Sequence, residues 1–347
     1  MNFPYSWRMS DGYPAKNVVS NNRKVFGTFI CGGGSSMGYK LAGYEHLGGV
    51  EIDPRMADLY KANHKPKHLF LEDIRAFADR EDFPDDLYDL DILDGSPPCS
   101  SFSLSGNREK DWGKEKVFAE GQTAQRLDDL FFDYILLAKK LQPKVVIAEN
   151  VKGLIAGNAK AYVKSIKSKF EDAGYKVQLF LLNAASMGVP QLRERVFFIC
   201  QRKDLNFPLL KLKFNLKAIK FGEYRSQNGS GRPVAAMTKH LLANRMQSDK
   251  KIADINMRLY KKVSGYTRPI VKDSDVCPTI VASSDMFRHF DAEHFTPQDL
   301  QNAGSYPLDY NFKSVNPKYL IGMSVPPVMT AQIAYQIFKQ WLSNEDR

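Results

Sequence analysis

Four short segments of the 347-residue chain hold side chains whose types and spacing could do chemistry. In the first, a glycine-rich turn, Gly32-Gly33-Gly34-Ser35, follows an apolar run. Glycines let a backbone approach a ligand closely, and a helix that begins there offers free N–H groups. Glu51 follows about 20 residues on, where a carboxylate suits two ribose hydroxyls. The pattern predicts a nucleoside-cofactor site. It does not separate NAD from S-adenosylmethionine, and a purely structural turn stays open.

The second segment, Gly95-Ser96-Pro97-Pro98-Cys99-Ser100, presents one thiol after two rigid prolines. A lone cysteine is more often a small buried side chain than a nucleophile. Here, however, the thiol follows a predicted strand at its C-terminal end, where open α/β sheets place their chemistry. We therefore predict that Cys99 is a nucleophile.

The third segment is Glu149-Asn150-Val151, and the fourth is Gln191-Leu192-Arg193-Glu194-Arg195. A carboxyl at the end of a strand could serve as acid or base, although a structural or helix-capping glutamate is the alternative. Alternate residues of an extended segment share a face, so Gln191, Arg193 and Arg195 are expected to point together. Surface strands also produce that pattern by chance.

Alternating strands and helices are expected to position these four segments. Apolar runs predict strands at 25–30, 48–51, 90–94, 144–148, 176–182 and 196–200, with one more just before Asp73. Helical spacing predicts helices after the glycine turn and at 56–63, 127–141, 162–173 and 329–341. Such alternation indicates an α/β fold with a doubly wound, mostly parallel sheet. Residues 201–290 are expected to be irregular and to form a smaller separate domain, with regular helix returning only near residue 329.

The positive charge is concentrated in one segment. Residues 201–265 hold 15 Lys/Arg against 4 Asp/Glu, whereas the whole chain has a net charge of +10. The remaining residues are therefore close to neutral overall. A module that binds a polyanion is one interpretation, and a solvated lysine-rich surface is the other.

Several classes of protein are disfavoured. The four cysteines are far apart and form no C-x-x-C pair, which argues against a zinc site or a disulfide framework and favours reduced thiols. No metal is expected. No run of 18 apolar residues predicts a membrane span, and the polar start does not resemble a secretory signal. Residues 1–24 are predicted to be a flexible arm.

Taken in order, the segments resemble the cytosine-C5 DNA methyltransferase family, of the bacterial restriction-modification or orphan type. The resemblance rests on Phe29-x-x-x-Gly33-Gly34, Pro97-Pro98-Cys99, Glu149-Asn150-Val151, Gln191-x-Arg193-x-Arg195, Phe295-Thr296-Pro297 with Tyr306-Pro307-Leu308-Asp309-Tyr310, and Gly322-Met323-Ser324-Val325-Pro326-Pro327. It covers roughly residues 25–200 and 290–342. The basic middle is left unmatched, and there the family keeps its variable target-recognition domain.

The resemblance implies a Rossmann-like catalytic domain at 25–200 plus 322–343 and a target-recognition domain at 201–321. It implies methyl transfer from S-adenosylmethionine to C5 of a flipped-out cytosine through a covalent bond between Cys99 and C6, leaving S-adenosylhomocysteine. The implied catalytic residues are Cys99, Glu149, Arg193 and Arg195: Glu149 contacts N3 and the amine, Arg195 holds the base carbonyl, and Arg193 braces the loop. The implied cofactor-binding residues are Phe29, Gly33, Gly34, Ser35, Glu51, Ile52, Asp73, Ile74, Pro98 and Ser324.

Double-stranded DNA is the implied partner. The candidate DNA contacts are Ser100, Ser103, Gln191, Arg225, Arg232, Arg245 and Thr279, with Gln227 and Asn228 as further candidates for base readout. The polar stretch 100–125 is expected to be a lid over the DNA, in which Lys110, Lys114 and Lys116 could touch phosphates. A monomer in a prokaryotic cytoplasm, associated with the nucleoid during action, is expected. A cognate restriction endonuclease is a further expected partner.

Three positions depart from the family pattern. Cys31 stands where the family usually has glycine, Met323 where it often has asparagine, and Ser100 where it often has glutamine. Cys31 puts the course of the cofactor turn in question, and Met323 puts in question any polar contact that the asparagine would make. No group that the chemistry needs is lost, so an active enzyme is expected.

Three rivals remain at this point. The first is an enzyme of the same fold that methylates cytosine in tRNA. The second is a DNA-binding protein that kept the fold without catalysis, against which intact Cys99, Glu149 and Arg195 argue. The third is a nicotinamide-dependent enzyme, which leaves the last three segments unexplained.

Overall fold

A computed structural model describes residues 1–98, 129–156, 160–263, 265 and 267–344. Its centre is a sheet of seven strands in the order β3-β2-β1-β4-β5-β8-β6. The strands are Lys24–Thr28 (β1), Glu45–Glu51 (β2), His68–Leu71 (β3), Ile92–Gly95 (β4), Val145–Val151 (β5), Tyr175–Asn183 (β6) and Glu194–Arg202 (β8), with the short Gln191–Leu192 (β7) outside the sheet. Strands β1 to β5 run parallel, and β8 runs antiparallel between β5 and β6.

Helices cover both faces of this sheet. They are Gly34–Leu41 (α1), Pro54–His64 (α2), Ile74–Asp79 (α3), Leu130–Leu141 (α4), Lys160–Asp172 (α5) and Pro327–Gln340 (α10). Strands buried on both faces must be apolar along their whole length. Neighbouring residues therefore enter opposite cores: Val25 packs in one apolar cluster and Phe26 in the other. The predicted doubly wound, mostly parallel α/β fold is confirmed.

The order of the strands reverses between β1 and β4, because the chain builds outward from β1 through β2 to β3 and then crosses to β4. Ligands bind at such a switch point, beyond the carboxyl ends of the parallel strands. Two of the four chemical segments, the glycine turn after β1 and Gly95–Pro98 at the end of β4, lie there. The fold thus brings together segments that are more than sixty residues apart in sequence.

The region after residue 202 is more regular than predicted. It contains the helices Ala236–Ala243 (α6), Ile252–Tyr260 (α7), Pro297–Ala303 (α8) and Pro317–Met323 (α9), and the two-residue strands Ile270–Val271 (β9), Cys277–Pro278 (β10) and Phe287–Arg288 (β11). The expectation that regular helix returns only near residue 329 is therefore wrong. These helices span seven to nine residues each, too few turns to give a strong periodic signal.

A third apolar cluster packs α6 and α7 against β9 and β11. Its buried members are Leu241, Leu242, Ile252, Ile255, Ile270 and Phe287. Other residues of the same region, among them Leu210, Cys277 and Tyr306, join the large core that also holds Val25 and α10. The region thus has a small core of its own and a broad attachment to the sheet domain, and the boundary at residue 201 stays a prediction.

The N-terminal segment is packed, so the prediction of a flexible arm at 1–24 is wrong. Phe3 and Trp7 are buried in the large core. The Trp7 indole donates to the Ser305 carbonyl at 3.0 Å, and the Asp309 carboxylate accepts from the amides of Met9 and Ser10 at 2.7 and 2.9 Å. These partners lie about 300 residues away in sequence, which local patterns cannot reveal. None of the described helices is long and apolar enough to cross a membrane.

Candidate active site

The glycine turn after β1 follows a course that few side chains allow. Phe29, Cys31 and Gly33 all have positive φ, at 54°, 47° and 80°. A Cβ on Gly33 would lie 2.2 Å from His64 Nε2, and one on Gly34 would lie 2.4 Å from the Val325 carbonyl oxygen. Cys31 adopts the left-handed conformation that glycine favours.

Hydrogen bonds hold this turn from two sides. The Gly32 carbonyl accepts from the Tyr310 hydroxyl at 2.6 Å and from His64 Nε2 at 3.1 Å. Burial lowers the pKa of His64 to about 3, so the ring is neutral and carries its proton on Nε2, because a carbonyl can only accept. Tyr310 belongs to the segment 306–310, which explains physically why that distant motif accompanies the glycine turn.

Glu51 ends β2 and closes the turn from the other side. Its Oε2 accepts from the amide of Cys31 at 2.8 Å, and its Oε1 accepts from the amides of Ile52 and Asp53 at 3.0 Å each. Burial raises the pKa of this carboxyl, and the three amides act in the opposite direction. A carboxylate oxygen offers about two acceptor sites. Oε2 therefore keeps capacity for a ligand hydroxyl.

The other residues predicted to bind a cofactor lie at the same edge of the sheet or beside it. Asp73 caps α3, where its carboxylate accepts from the Arg75 amide at 2.8 Å and pairs with the Arg75 guanidinium at 3.2 Å. Ser324 accepts from the Tyr306 hydroxyl at 2.6 Å and donates to the Leu320 carbonyl at 2.8 Å. Ile74 is buried, whereas Phe29, Ser35, Ile52 and Pro98 are half-buried.

The predicted nucleophile follows the end of β4. Cys99, Ser100 and Ser103 lie outside the described residues, as does the stretch 100–125, and so does each lysine proposed for it. The chain is described up to Pro98. There the Asn150 side-chain amide donates to the Pro97 carbonyl at 3.0 Å, while its Oδ1 accepts from the Val151 amide at 2.8 Å. Asn150 thus anchors the backbone two residues before Cys99, a role that sequence analysis did not assign to it.

Glu149 and Arg195 form an ion pair beside this anchor. In the antiparallel β5–β8 ladder Val151 faces Arg195, and Glu149 faces Phe197, so the two charged side chains lie diagonally on one face. Arg195 Nε lies 3.0 Å from Glu149 Oε1, and both side chains are largely buried. The structure therefore brings these two predicted catalytic groups together at the strand ends that also hold Pro97.

Arg193 has a different place from Arg195. Its side chain is buried, with 2% of the residue exposed, and it donates to the carbonyls of Ile280, Gly322 and Ser324. Burial lowers its pKa to about 9. This geometry fits the predicted bracing role and not direct contact with a substrate, so we class Arg193 as a positioning residue.

A family model described as C-5 cytosine-specific DNA methylase matches residues 24–339. The chain belongs to this family. It is thus a DNA cytosine-5 methyltransferase, as predicted from the ordered motifs.

Two relatives and one solved structure illustrate the similarity. The chain is 29% identical to the type II methyltransferase M1.HphI of Haemophilus parahaemolyticus, over 90% of this chain and 85% of that protein. It is 29% identical to M.Bsp6I of a Bacillus species, over 89% of this chain and 96% of that one. The fold is similar to a Dnmt2 methyltransferase of S. pombe, with a TM-score of 0.59, 14% identity, and coverage of 92% and 99%.

For the methyltransferase, one of the predicted DNA contacts is corrected by the structure. Gln191 is 1% exposed, and both ends of its amide are used inside the protein, by the Ala303 carbonyl at 3.1 Å and the Ile280 amide at 3.1 Å. Arg245 donates to the carbonyls of Leu242, His289 and Phe290. Arg245 is partly exposed, and its contact with DNA stays a prediction. Alternation along the segment predicted that Gln191 shares a face with Arg193 and Arg195. This prediction fails for Gln191 because β7, which contains it, pairs with β10 outside the main sheet.

The other predicted DNA contacts within the described residues are at least partly exposed. Arg225 pairs with Asp273 at 2.8 Å and lies 3.8 Å from the centre of the Phe290 ring. Arg232 pairs with Asp285 at 2.9 Å and is half exposed. The Thr279 hydroxyl is bound to the Leu192 carbonyl at 2.5 Å, on the segment that precedes Arg193. Their contact with DNA stays a prediction.

Asp94 on β4 escaped the sequence analysis. Its carboxyl is buried and accepts from the Tyr39 hydroxyl at 3.0 Å. Burial raises its pKa to about 7, against the effect of the hydrogen bond from Tyr39. A polar residue inside the otherwise apolar run 92–94, just before Pro97-Pro98, was the available signal.

Proposed function

We propose that this enzyme transfers the methyl group of S-adenosylmethionine to C5 of a flipped-out cytosine in a specific duplex sequence, through a covalent bond between Cys99 and C6. The observation that carries the proposal is the Glu149–Arg195 pair, 3.0 Å apart and next to the strand end that holds Pro97. A cytosine ring presents N3, an exocyclic amine and a carbonyl. An acid and a fork of N–H donors can bind these three groups. The thiol that follows Pro98 supplies the nucleophile.

Cys99 has the role that needs a group able to attack and to leave. C5 of cytosine is a poor nucleophile, and addition of a thiolate to C6 turns the ring into an enamine that is reactive at C5. After methylation at C5, loss of the C5 proton and elimination of the thiolate restore the ring. Asn150 supports this role because it fixes the Pro97 carbonyl two residues before the thiol.

Glu149 and Arg195 are proposed to hold the base. The glutamate contacts N3 and the exocyclic amine and supplies a proton to N3 as the ring gains negative charge. Arg195 pairs with Glu149 through Nε and donates to the Glu194 carbonyl through Nη1. Its Nη2 makes no hydrogen bond within the described part of the chain. That group supports the assignment of the base carbonyl to Arg195.

The glycine turn fits a nucleoside cofactor on physical grounds. The turn can follow this course only because Gly33 and Gly34 carry no Cβ, which would collide with His64 and Val325, and Glu51 Oε2 retains acceptor capacity. S-adenosylmethionine, when bound, supplies an electrophilic methyl group. Backbone N–H groups at the start of α1, Glu51 and Asp73 are the residues proposed to hold it, with Phe29, Ile52, Ile74 and Pro98 as apolar walls.

The region 201–321 is proposed to be the target-recognition domain. Its basic excess lies at 201–265, and the candidates for contact with DNA are at least partly exposed: Arg225, Arg232, Arg245 and Thr279. Phosphate contacts by such a surface give affinity without sequence information. The relatives named type II methyltransferases support a cognate restriction endonuclease as functional partner. The enzyme is further proposed to be a monomer that acts on the nucleoid in a prokaryotic cytoplasm.

The experiment that tests the proposal measures transfer of label from tritiated S-adenosylmethionine to duplex DNA and, in parallel, to tRNA. Duplex DNA is expected to take the label, and bisulfite sequencing of the product is expected to show 5-methylcytosine within one recurring sequence. Label in tRNA alone would overturn the assignment of the substrate. Label in DNA without bisulfite protection would overturn the assignment to C5.

A further inference from the structure

One arginine of strand β11 is completely buried and binds the backbone of a loop in the basic region. Arg288 is 0% exposed, and its Nη1 donates to the carbonyls of Ser226 at 3.3 Å and Asn228 at 2.8 Å. The guanidinium also pairs with the carboxylates of Asp291 and Asp299. Replacing a buried charge network by apolar side chains often leaves stability unchanged or higher. Apolar side chains could not bind the two carbonyls, however, so the particular contribution of Arg288 is to fix the course of this loop.

Two carboxylates hold the same loop by its N–H groups. Asp299 Oδ1 accepts from the Ser226 amide at 2.6 Å, and Glu293 Oε2 accepts from the Ser230 amide at 2.6 Å. The backbone of residues 226–230 is therefore bound at its start, in its middle and at its end. These five residues are termed the anchored loop.

The anchored loop exposes two amide side chains that keep hydrogen-bonding capacity. Gln227 and Asn228 are both exposed, and the Asn228 side-chain amide makes no hydrogen bond within the described part of the chain. Gln227 Oε1 accepts from Arg225 Nη1 at 3.2 Å, and Arg225 Nε is fixed by Asp273 at 2.8 Å. Because a guanidinium can only donate, the oxygen of Gln227 must face Arg225. The NH2 group of Gln227 is then left to donate to a ligand.

The anchored loop lies toward the edge of the molecule at which the parallel strands end. Arg232, two residues past the loop, pairs with Asp285 at 2.9 Å, and Lys318 of α9 lies 2.8 Å from the same carboxylate. Lys318 and Arg55 line one groove. Arg55 lies in the first turn of α2, four residues after Glu51 at the end of β2. A chain of contacts thus connects the loop to the edge that holds the candidate active site.

We propose that Gln227 and Asn228 read base edges of the recognised duplex, and that Arg288 is the positioning residue that holds them in place. The inference rests on the proposed role of 201–321 as the target-recognition domain. An asparagine or glutamine amide can bind N7 and the N6 amine of adenine in the major groove, with one donor and one acceptor. Asn228 has both groups free, so it reads an A·T pair. Gln227 donates through its NH2 group to an acceptor on a base edge.

Anchoring of the backbone is what separates these amides from the lysines of the same region. A charge attracts a phosphate over several ångströms, so a phosphate contact tolerates a moving side chain. A hydrogen bond to a base edge needs a donor–acceptor distance of about 2.7 to 3.2 Å and an aligned N–H group. A loop that is already fixed also loses less conformational freedom when it binds. The anchored loop therefore suits base readout more than general attraction to DNA.

The test begins with the sequence that the full-length wild type recognises. A duplex library with random bases around a cytosine is methylated and then sequenced after bisulfite treatment. Asn228→Ala and Gln227→Ala should each lose the preference for one base pair and keep it at the other positions. On the preferred sequence kcat/KM should fall about tenfold in each, which corresponds to about 1.4 kcal/mol. The salt dependence of DNA binding should not change, because no phosphate contact is removed.

Two matched controls remove exposed amides that this network does not hold. Asn215→Ala and Gln247→Ala lie in the same basic region, and both residues are exposed. Each should keep the wild-type recognised sequence and the wild-type kcat/KM. A loss of preference in these controls equal to that in the loop variants would contradict the assignment to the loop.

The positioning role is tested without changing a side chain that contacts DNA. In Arg288→Lys a single ammonium cannot hold both carbonyls and the carboxylates, so preference should weaken at both positions while salt dependence stays the same. Glu293→Ala releases the Ser230 end of the loop and should weaken preference to a smaller extent. If Arg288→Lys fails to fold, Glu293→Ala still decides the question, because Glu293 is partly exposed.

Three results would overturn the inference. The first is an unchanged recognised sequence in Gln227→Ala and Asn228→Ala, and the second is an equal loss of rate on all sequences, which a structural defect would produce. The third is full discrimination in folded Arg288→Lys and Glu293→Ala. Loss of preference at a G·C pair in Asn228→Ala would contradict the assignment of adenine. A wild type that methylates no duplex DNA would instead count against the proposed function.

Discussion

The side-chain amide of Asn150 lies 3.0 Å from the carbonyl oxygen of Pro97 and fixes the end of β4 to the end of β5. Because Asn150 follows Glu149 directly, one strand supplies both the proposed acid and the anchor for the chain that leads to Cys99. Tyr134 strengthens the same junction, since its hydroxyl lies 2.9 Å from the Leu93 carbonyl and 2.8 Å from that of Ile147. The relative placement of acid and nucleophile thus depends on a few buried polar contacts.

Replacement of Asn150 by alanine should slow catalysis by more than its effect on stability explains. Loss of a buried hydrogen bond costs about 1 to 3 kcal/mol of unfolding free energy. Asn256→Ala is the matched control, because that buried amide donates to the Lys262 carbonyl at 2.9 Å in the α6–α7 region. Urea unfolding should show similar losses, whereas single-turnover methylation should slow at least tenfold in Asn150→Ala alone. Equal rates in the two variants would contradict the anchoring role.

Gly33→Ala should abolish cofactor binding, and Gly231→Ala should not. Both glycines have positive φ, 80° and 63°, so each alanine carries the cost of a left-handed residue, about 1 kcal/mol. Only at Gly33 would the new Cβ collide, 2.2 Å from His64 Nε2, whereas nothing lies within 4 Å at Gly231. Titration with S-adenosylhomocysteine measures the difference. Wild-type affinity in Gly33→Ala would show that the turn does not form the cofactor site.

Arg193→Lys should destabilise the protein by about 3 kcal/mol, although the charge is kept. A single ammonium cannot satisfy the carbonyls of Ile280, Gly322 and Ser324, and it remains buried. Arg232→Lys, at a half-exposed ion pair with Asp285, should cost less than about 1 kcal/mol. Guanidinium unfolding of both variants checks this. A small loss of unfolding free energy in Arg193→Lys would contradict the bracing role and would place Arg193 among the residues that contact substrate.

DNA affinity should fall steeply with salt, and the slope should depend on the basic segment. For every phosphate that a variant no longer neutralises, the slope of log affinity against log salt becomes shallower by about 0.9. The double variant Lys261→Gln/Lys262→Gln removes two exposed charges from 201–265, and Lys164→Gln/Lys169→Gln removes two exposed charges from α5 as a control. Fluorescence anisotropy at several salt concentrations should show a shallower slope for the first pair alone. A flat wild-type response would mean that 201–265 is not the surface that contacts phosphate.

The sequence was sufficient to predict those elements whose pattern lies within one continuous segment. Apolar runs located the strands of the parallel sheet, and the ordered motifs brought Glu149 and Arg195 to one site, 3.0 Å apart. Prediction failed where the position of a segment depends on partners that are distant in sequence. Phe3 and Trp7 pack against residues near the other end of the chain, so no local pattern showed that the N-terminal segment is bound.

Side-chain roles were harder to predict than side-chain positions. Gln191 was expected to contact DNA from its place in the Gln191-x-Arg193-x-Arg195 motif, yet its amide is bound to backbone groups inside the protein. Asp94 went unnoticed because its importance comes from burial beside Tyr39, which only the packing of α1 on the sheet creates. Which polar group is buried is decided by tertiary packing and not by the residue type.

The covalent step tests the central claim most directly. A duplex that carries 5-fluorocytosine at the target position prevents loss of the C5 substituent, so the enzyme should remain bonded to the base in the presence of S-adenosylmethionine. Digestion and mass spectrometry should place the adduct on the peptide that contains Cys99, and Cys99→Ser should form none. An adduct on Cys31, Cys200 or Cys277, or active methylation with no adduct, would contradict the account.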